Sequence, residues 1–257
     1  MSVREFLLLV VAGTGAGLVG SVAGLASLIS YPALLATGLS PVAANITNTV
    51  ALVLNGVGSI GASQPELRGQ RRRLLRLGPA GLLGGATGAA LLLLTPSGAF
   101  EKLVPFLIAS ASAAMLVQRP PRDLAAAGAA EQARHPHRDH WGMVLGTYVI
   151  AIYGGYFGAA AGVLMLAMFL LVTGEGVPRG NAVKNVVLAS ANTVAAVGYA
   201  VFADVAWLAA LPLAIGFFLG GSLGPRVVRR VPQTLLRRLI AVAGLGLAVH
   251  LGLNAYG

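Results

Sequence analysis

Seven polar side chains sit where an apolar chain has least use for them. Asn45, Asn48 and Asn55 fall in one hydrophobic stretch, and Asn181, Lys184, Asn185 and Asn192 in another. In a bilayer core an amide or an ammonium group has no water to bond with, so each must meet protein or a ligand. Asn48 and Asn55 are seven residues apart, nearly one helical face, and so are Asn185 and Asn192. Amide donors on facing helices, with a cation beside them, suit the binding of a small anion. No Asp or Glu lies at the middle of any apolar span; Glu175 and Asp204 sit at span ends. A cation site or a carboxylate proton relay therefore lacks its usual residues.

Two simpler roles compete with ligand binding. Intramembrane amides often only clamp helices, at about 0.6 kcal/mol each. Lys184, about 9 Å into its span by helical rise, has the reach to extend its ammonium to the interface. Arg179 reads as interfacial, and the lone His250 as an ordinary hydrogen-bonded side chain. Trp141 and Trp207 stand at span ends, where aromatic residues anchor a helix to the interface.

The stretches that carry these residues are two copies of one plan. Pro178, Asn185, Asn192 and Gly198 match Pro41, Asn48, Asn55 and Gly61 at an offset of 137 positions. Gly84, Gly85, Gly88 and Pro96 recur 136 positions later as Gly220, Gly221, Gly224 and Pro232. Composition settles the class: 56% hydrophobic and 10% charged residues with a mean hydropathy of +0.80 describe an all-α polytopic membrane protein. With no cysteine, disulfides, thiolate metal sites and cysteine nucleophiles are excluded. There is no G-x-S-x-G, H-E-x-x-H, paired carboxylate or phosphate loop, so the chain does not read as an enzyme and calls for no cofactor.

In order, an uncharged segment from Phe6 to Thr37 is broken by glycines and Pro32. As one helix it would measure about 48 Å, well beyond a bilayer core, so it is either tilted and broken or a hairpin. Spans follow at Pro41–Ala62, where Ser40 is placed to cap the helix, then at Leu77–Leu94, and at Leu103–Val117 after a turn from Thr95 to Lys102. The second copy runs through a broken Trp141–Gly174 segment, then Pro178–Phe202, Val205–Leu223 and Leu235–Leu253. The organisation is thus a first repeat over 1–118, a polar and mobile linker over 119–140, and a second repeat over 141–257. His135, His137 and His140 lie in the linker at a spacing too loose for a compact metal site, so no metal ligand is assigned. The N-terminal apolar run follows one Arg balanced by one Glu, and we expect it to be retained rather than cleaved.

A net charge of +10 would suggest nucleic acid in a soluble protein. Here the arginines gather in short loops between apolar spans, which marks the cytoplasmic side of a bilayer and argues against a nucleic-acid partner. The loops carrying Arg68, Arg71, Arg72, Arg73 and Arg76, and Arg226, Arg229, Arg230, Arg237 and Arg238, decide the topology. If each broken segment crosses once, eight spans in two parallel halves put those loops on opposite sides. If the broken segments are hairpins, the halves are inverted and every arginine-rich loop falls on one side, so charge favours inverted repeats. Inversion would bring Asn48, Asn55, Asn185 and Asn192 to one midplane cavity. Asn45 and Asn181 would extend the stripes, with backbone from the breaks near Ser21, Gly24 and Gly162 close by.

Several of these stretches resemble a known family. The G-x-x-A-G-L run (Gly20–Leu25), S-P-V-A-A-N-I-T-N (Ser40–Asn48), its echo V-P-R-G-N-A-V-K-N (Val177–Asn185) and the paired G-G-x-x-G spans are similar to the sulfite exporter family TauE/SafE. The resemblance covers nearly the whole chain. It implies a bacterial inner-membrane permease, multi-pass, that moves a sulfur-containing anion such as sulfite, thiosulfate, a sulfonate or a sulfo-carboxylate. On the matching motif positions, Asn48, Lys184 and Asn185 would contact the substrate. A proton as coupling ion and a homodimer stay open, and a passive anion channel or a non-transporting scaffold are the rival readings.

Overall fold

The computed structural model describes residues 1–134, 140–228 and 234–256, and these are helical with short connections. The helices are α1 (Val3–Ala23), α2 (Ser27–Leu35), α3 (Pro41–Ala62), α4 (Gln64–Leu67), α5 (Arg71–Leu94) and α6 (Ser97–Val117). They continue as α7 (Pro121–Arg134), α8 (His140–Tyr156), α9 (Ala161–Thr173), α10 (Val177–Phe202), α11 (Trp207–Val228) and α12 (Thr234–Tyr256). Among the described residues, α1, α5, α6, α10 and the Trp207–Arg226 part of α11 are long and apolar enough to cross a bilayer. By the same measure α3 falls short. Its buried face carries Asn45, Thr47, Asn48 and Thr49, which lower its hydropathy while protein covers them.

Large apolar side chains such as Phe106, Val117, Val201, Phe202 and Leu208 are exposed around the outside. Serines, threonines, asparagines and a lysine are buried inside. That distribution suits lipid rather than water as the surrounding solvent.

Both broken segments are true breaks. The α1 helix ends at Gly24, which holds φ 78° and returns its N–H to the Gly20 carbonyl at 2.8 Å. The chain then folds back so that Ala26 lies against Gly20. Between α8 and α9 the turn uses Gly158 at φ 79° and Ala160 at φ 61°, a left-handed conformation that is strained for any residue with a Cβ. Gly154 faces Ala161 and, two turns back, Gly146 faces Met168, so α9 returns antiparallel along α8. The hairpin alternative therefore describes this segment.

Packing exchanges the halves. The α1 helix packs on α11 and its counterpart α8 on α5, while α3 packs on α11 and α10 on α5. The pairs α3–α10 and α6–α12 map onto themselves. The matched glycines make these contacts close. A Cβ at Gly88 would overlap the backbone of Ile152 and Tyr156, and one at Gly220 that of Thr14 and Leu18. Gly84 lies against Tyr148 and Ile152, and Gly88 one turn on lies against Ile152 and Tyr156, so α5 and α8 run in the same direction.

Three expectations need correction. Helix α5 starts at Arg71 rather than Leu77, and α6 at Ser97 rather than Leu103, because polar first turns continue apolar helices. The linker over 119–140 contains α7, which docks on α9 through Leu124 against Leu166 and Leu170, with Gly128 against the carbonyls of Leu170 and Leu171. A polar alanine-rich stretch reads as linker until its few contact residues are known. His135 and His137, and Arg229, Arg230 and Pro232, lie outside the described residues, as do the side chains of His140, Arg237 and Arg238.

Candidate functional site

The breaks of the two hairpins meet. Gly24 and Gly162 touch backbone to backbone, and a Cβ on either would overlap the other. Beside this contact α3 and α10 cross, with Gly56 against Ala189. The four elements leave a cavity of about 50 Å³ bordered by Gly24, Ser27, Asn55, Ser59, Lys184, Asn185, Asn192 and Gly162 among others. Volume on this scale holds water or a few heavy atoms, not a large organic molecule.

Lys184 is the cation of this cavity. Its side chain is 1% exposed, so it does not extend to an interface. The Nζ donates to the Gly20 carbonyl at 3.1 Å and to the Ser21 carbonyl at 3.4 Å, at the C-terminal end of α1. That end carries the negative pole of the helix, which compensates part of the charge. An ammonium has three donors, and with two directed at carbonyls one is left for the cavity that Lys184 borders. Asn181 Nδ2 donates to the same Ser21 carbonyl at 2.6 Å, and Asn185 Nδ2 at 3.4 Å.

The amides divide into two groups. Asn55, Asn185 and Asn192 border the cavity, and the Oδ1 of Asn55 is buried without a protein partner. Asn48 does not border it. Its Oδ1 accepts from Ser30 Oγ at 2.6 Å and its Nδ2 donates to Ser27 Oγ at 3.0 Å, so it ties α3 to α2. The cavity expected to hold four equivalent amides is bordered by three amides and a lysine. Asn45 Nδ2 donates to the Tyr156 carbonyl at the end of α8, 2.8 Å away, much as Asn181 does at the end of α1. Ser21 contributes its carbonyl as an acceptor for Lys184, Asn181 and Asn185.

Sequence reading missed Ser27 and Ser59 as cavity residues. Ser59 was within reach of that reading, since it stands four residues after Asn55 on the same helical face. Among the described residues no cluster of His, Cys, Asp or Glu could hold a metal ion.

Residues 9–251 match the model of the family described as "Sulfite exporter TauE/SafE". Similar curated proteins include the "Probable membrane transporter protein YfcA" of Escherichia coli (strain K12), 25% identical over 248 residues, covering 94% of this chain and 87% of that one. A "Probable membrane transporter protein" of Haemophilus influenzae is 25% identical over 236 residues, covering 90% and 88%. The "Probable membrane transporter protein ORF9" of Sinorhizobium sp is 26% identical over 250 residues, covering 95% and 90%. No solved structure matches the chain.

Proposed function

The chain belongs to the sulfite exporter TauE/SafE family and is a multi-pass membrane transporter rather than an enzyme, and we propose that it moves a small sulfur-containing anion across the bacterial inner membrane. Sulfite, thiosulfate, a sulfonate or a sulfo-carboxylate is the substrate class. The observation that carries the reading is Lys184, a buried cation with no carboxylate partner among the described residues, bordering a cavity of amides. A charge inside a bilayer that is compensated only in part is costly, and an arriving anion lowers that cost. The first turns of α2 and α9 also border the cavity, and their positive ends favour negative charge there. Asn55, Asn185 and Asn192 replace part of the lost hydration.

Alternating access follows from inverted halves rocking about the paired breaks, each half presenting the cavity to one side in turn. The Arg73–Glu175 ion pair supports inversion. It joins the start of α5 to the connection before α10 at 2.8 Å. Eight single crossings in parallel halves would put those connections on opposite sides of a hydrocarbon core about 30 Å thick. Inverted halves put both on the arginine-rich side. Cysteines replacing Arg71 and Arg226 are then labelled from the same face, and opposite-face labelling would end the inverted reading.

The direct test is transport into proteoliposomes, with sulfite, thiosulfate, sulfoacetate, taurine and acetate compared. Lys184→Met is expected to lower the rate for the preferred anion about tenfold or more, as the loss of one charge-assisted contact predicts. Its folded yield should match wild type. Equal rates in wild type and variant would return Lys184 to a helix-capping role. Flux far above carrier rates without countertransport would indicate a channel.

A further inference from the structure

A second pocket, of about 470 Å³, opens at the arginine-rich end of the molecule. Arg68, Arg72, Arg73, Arg76 and Arg179 line it with one acid, Glu175. That acid is already engaged: Arg73 holds it at 2.8 Å and Gln70 Nε2 donates to both of its oxygens at 3.1 and 2.9 Å. Arg68, Arg72, Arg76 and Arg179 have no carboxylate within ion-pair distance among the described residues. Orientation in a membrane needs arginines only on the correct side, anywhere in the loops. It does not need them drawn together from positions more than 100 residues apart, where like charges repel.

This pocket is separate from the central cavity. Along α9, Thr173 borders the pocket, Phe169 and Met165 follow on successive turns, and Gly162 borders the cavity. Along α10 the order is Arg179, Val183, then Lys184. Leu77, Met143, Met165, Phe169, Val183 and Val187 form one apolar cluster between the two.

We propose that the arginine pocket is a second anion site that binds a tetrahedral oxyanion of the phosphate or sulfate type, free in solution or as the phosphodiester of a lipid headgroup. Guanidinium groups bind such oxygens two at a time, and an anion among them offsets their mutual repulsion. Arginine rather than lysine on all five lining positions matches that geometry.

The test uses the full-length protein, purified in detergent and stripped of lipid, titrated calorimetrically with sodium sulfate and with inorganic phosphate. The triple variant Arg72→Gln, Arg76→Gln, Arg179→Gln is expected to bind about tenfold or more weakly than wild type, as loss of several charge-assisted bonds implies. Lys184→Met should leave this binding unchanged. In parallel, native mass spectrometry of protein extracted from membranes rich in phosphatidylglycerol reads the lipid source. A lipid held by wild type and lost by the triple variant assigns the pocket to headgroups. Should the triple variant melt earlier than wild type, Arg72→Gln alone is measured in the same two assays, with a smaller loss of binding expected from one arginine; its side chain, like those of Arg76 and Arg179, is exposed. Binding unchanged in the arginine variants, or abolished by Lys184→Met, would overturn the proposal. So would the absence of both anion binding and retained lipid.

Discussion

The two halves share a scaffold and differ in chemistry at equivalent positions. Lys184 of the second half corresponds to Thr47 of the first at the repeat offset. Lys184, on α10, borders the cavity and bonds the carbonyls at the end of α1, whereas Thr47 accepts the Ala206 N–H at 3.2 Å in a connection. Asn185 borders the cavity and its counterpart Asn48 does not. The difference has a local cause. Asn48 is bonded to Ser27 and Ser30 on α2, whereas Asn185 donates to the Ser21 carbonyl at 3.4 Å and borders the cavity. The two serine hydroxyls make Asn48 a brace between α3 and α2. The two halves thus have the same helix crossings, and Lys184 against Thr47 puts the charge in one of them.

The part common to both halves should be the least tolerant of change. Gly24→Ala puts a methyl group into the backbone of Gly162 and also forces a left-handed conformation on alanine. We expect a loss of about 3 kcal/mol or more, read as early thermal unfolding or poor folded yield. Gly38→Ala separates the two causes, since Gly38 holds φ 85° with open space around it. It should cost only about 1 kcal/mol, the conformational part. If both variants unfold alike, the close approach of the two breaks does not hold the halves together.

A smaller effect tests the asymmetry itself. Asn48→Ala removes two buried hydrogen bonds and should lower stability by about 2 kcal/mol. Transport per folded molecule should change little. Asn185→Ala removes a single long contact, so its stability should stay within about 0.5 kcal/mol of wild type while its transport rate falls. Thermal unfolding in detergent and proteoliposome flux, measured on the same preparations, separate the two outcomes. Equal behaviour of the two variants would dissolve the distinction between brace and ligand.

Much of this was legible in the sequence because bilayers impose few architectures. Apolar runs between charged loops marked most of the helices, and the G-G-x-x-G spans marked the close helix contacts. Carboxylates missing from the span centres turned attention to an anion. Asn48 braces α2 instead of lining the cavity because Ser27 and Ser30 face it, which the spacing of the asparagines alone does not reveal. Helix α7 was missed for a different reason. Its docking rests mainly on Leu124 and Gly128, too few apolar positions to stand out in a polar alanine-rich stretch. Lys184 could be placed in its span but not aimed, since helical rise does not say whether a long side chain turns toward an interface or a neighbouring helix end.

Charge also links the halves, but at the edge rather than the centre. The Arg73–Glu175 pair is about a quarter exposed on each side, so water and salt screen it. Glu175→Gln removes the charge and one of the two acceptor oxygens, leaving the other to accept from Arg73 and Gln70. The expected loss is about 0.5–1 kcal/mol at low ionic strength, shrinking toward zero at high salt. Unfolding of wild type and variant at two salt concentrations measures it, because only wild type carries the screened term. A loss of several kcal/mol that salt does not reduce would mean that this pair, and not the glycine contact between the breaks, holds the halves in register. Weak coupling at the edge is what the proposed rocking would require, since one half would have to part from the other there on each cycle while the contact at the breaks persists.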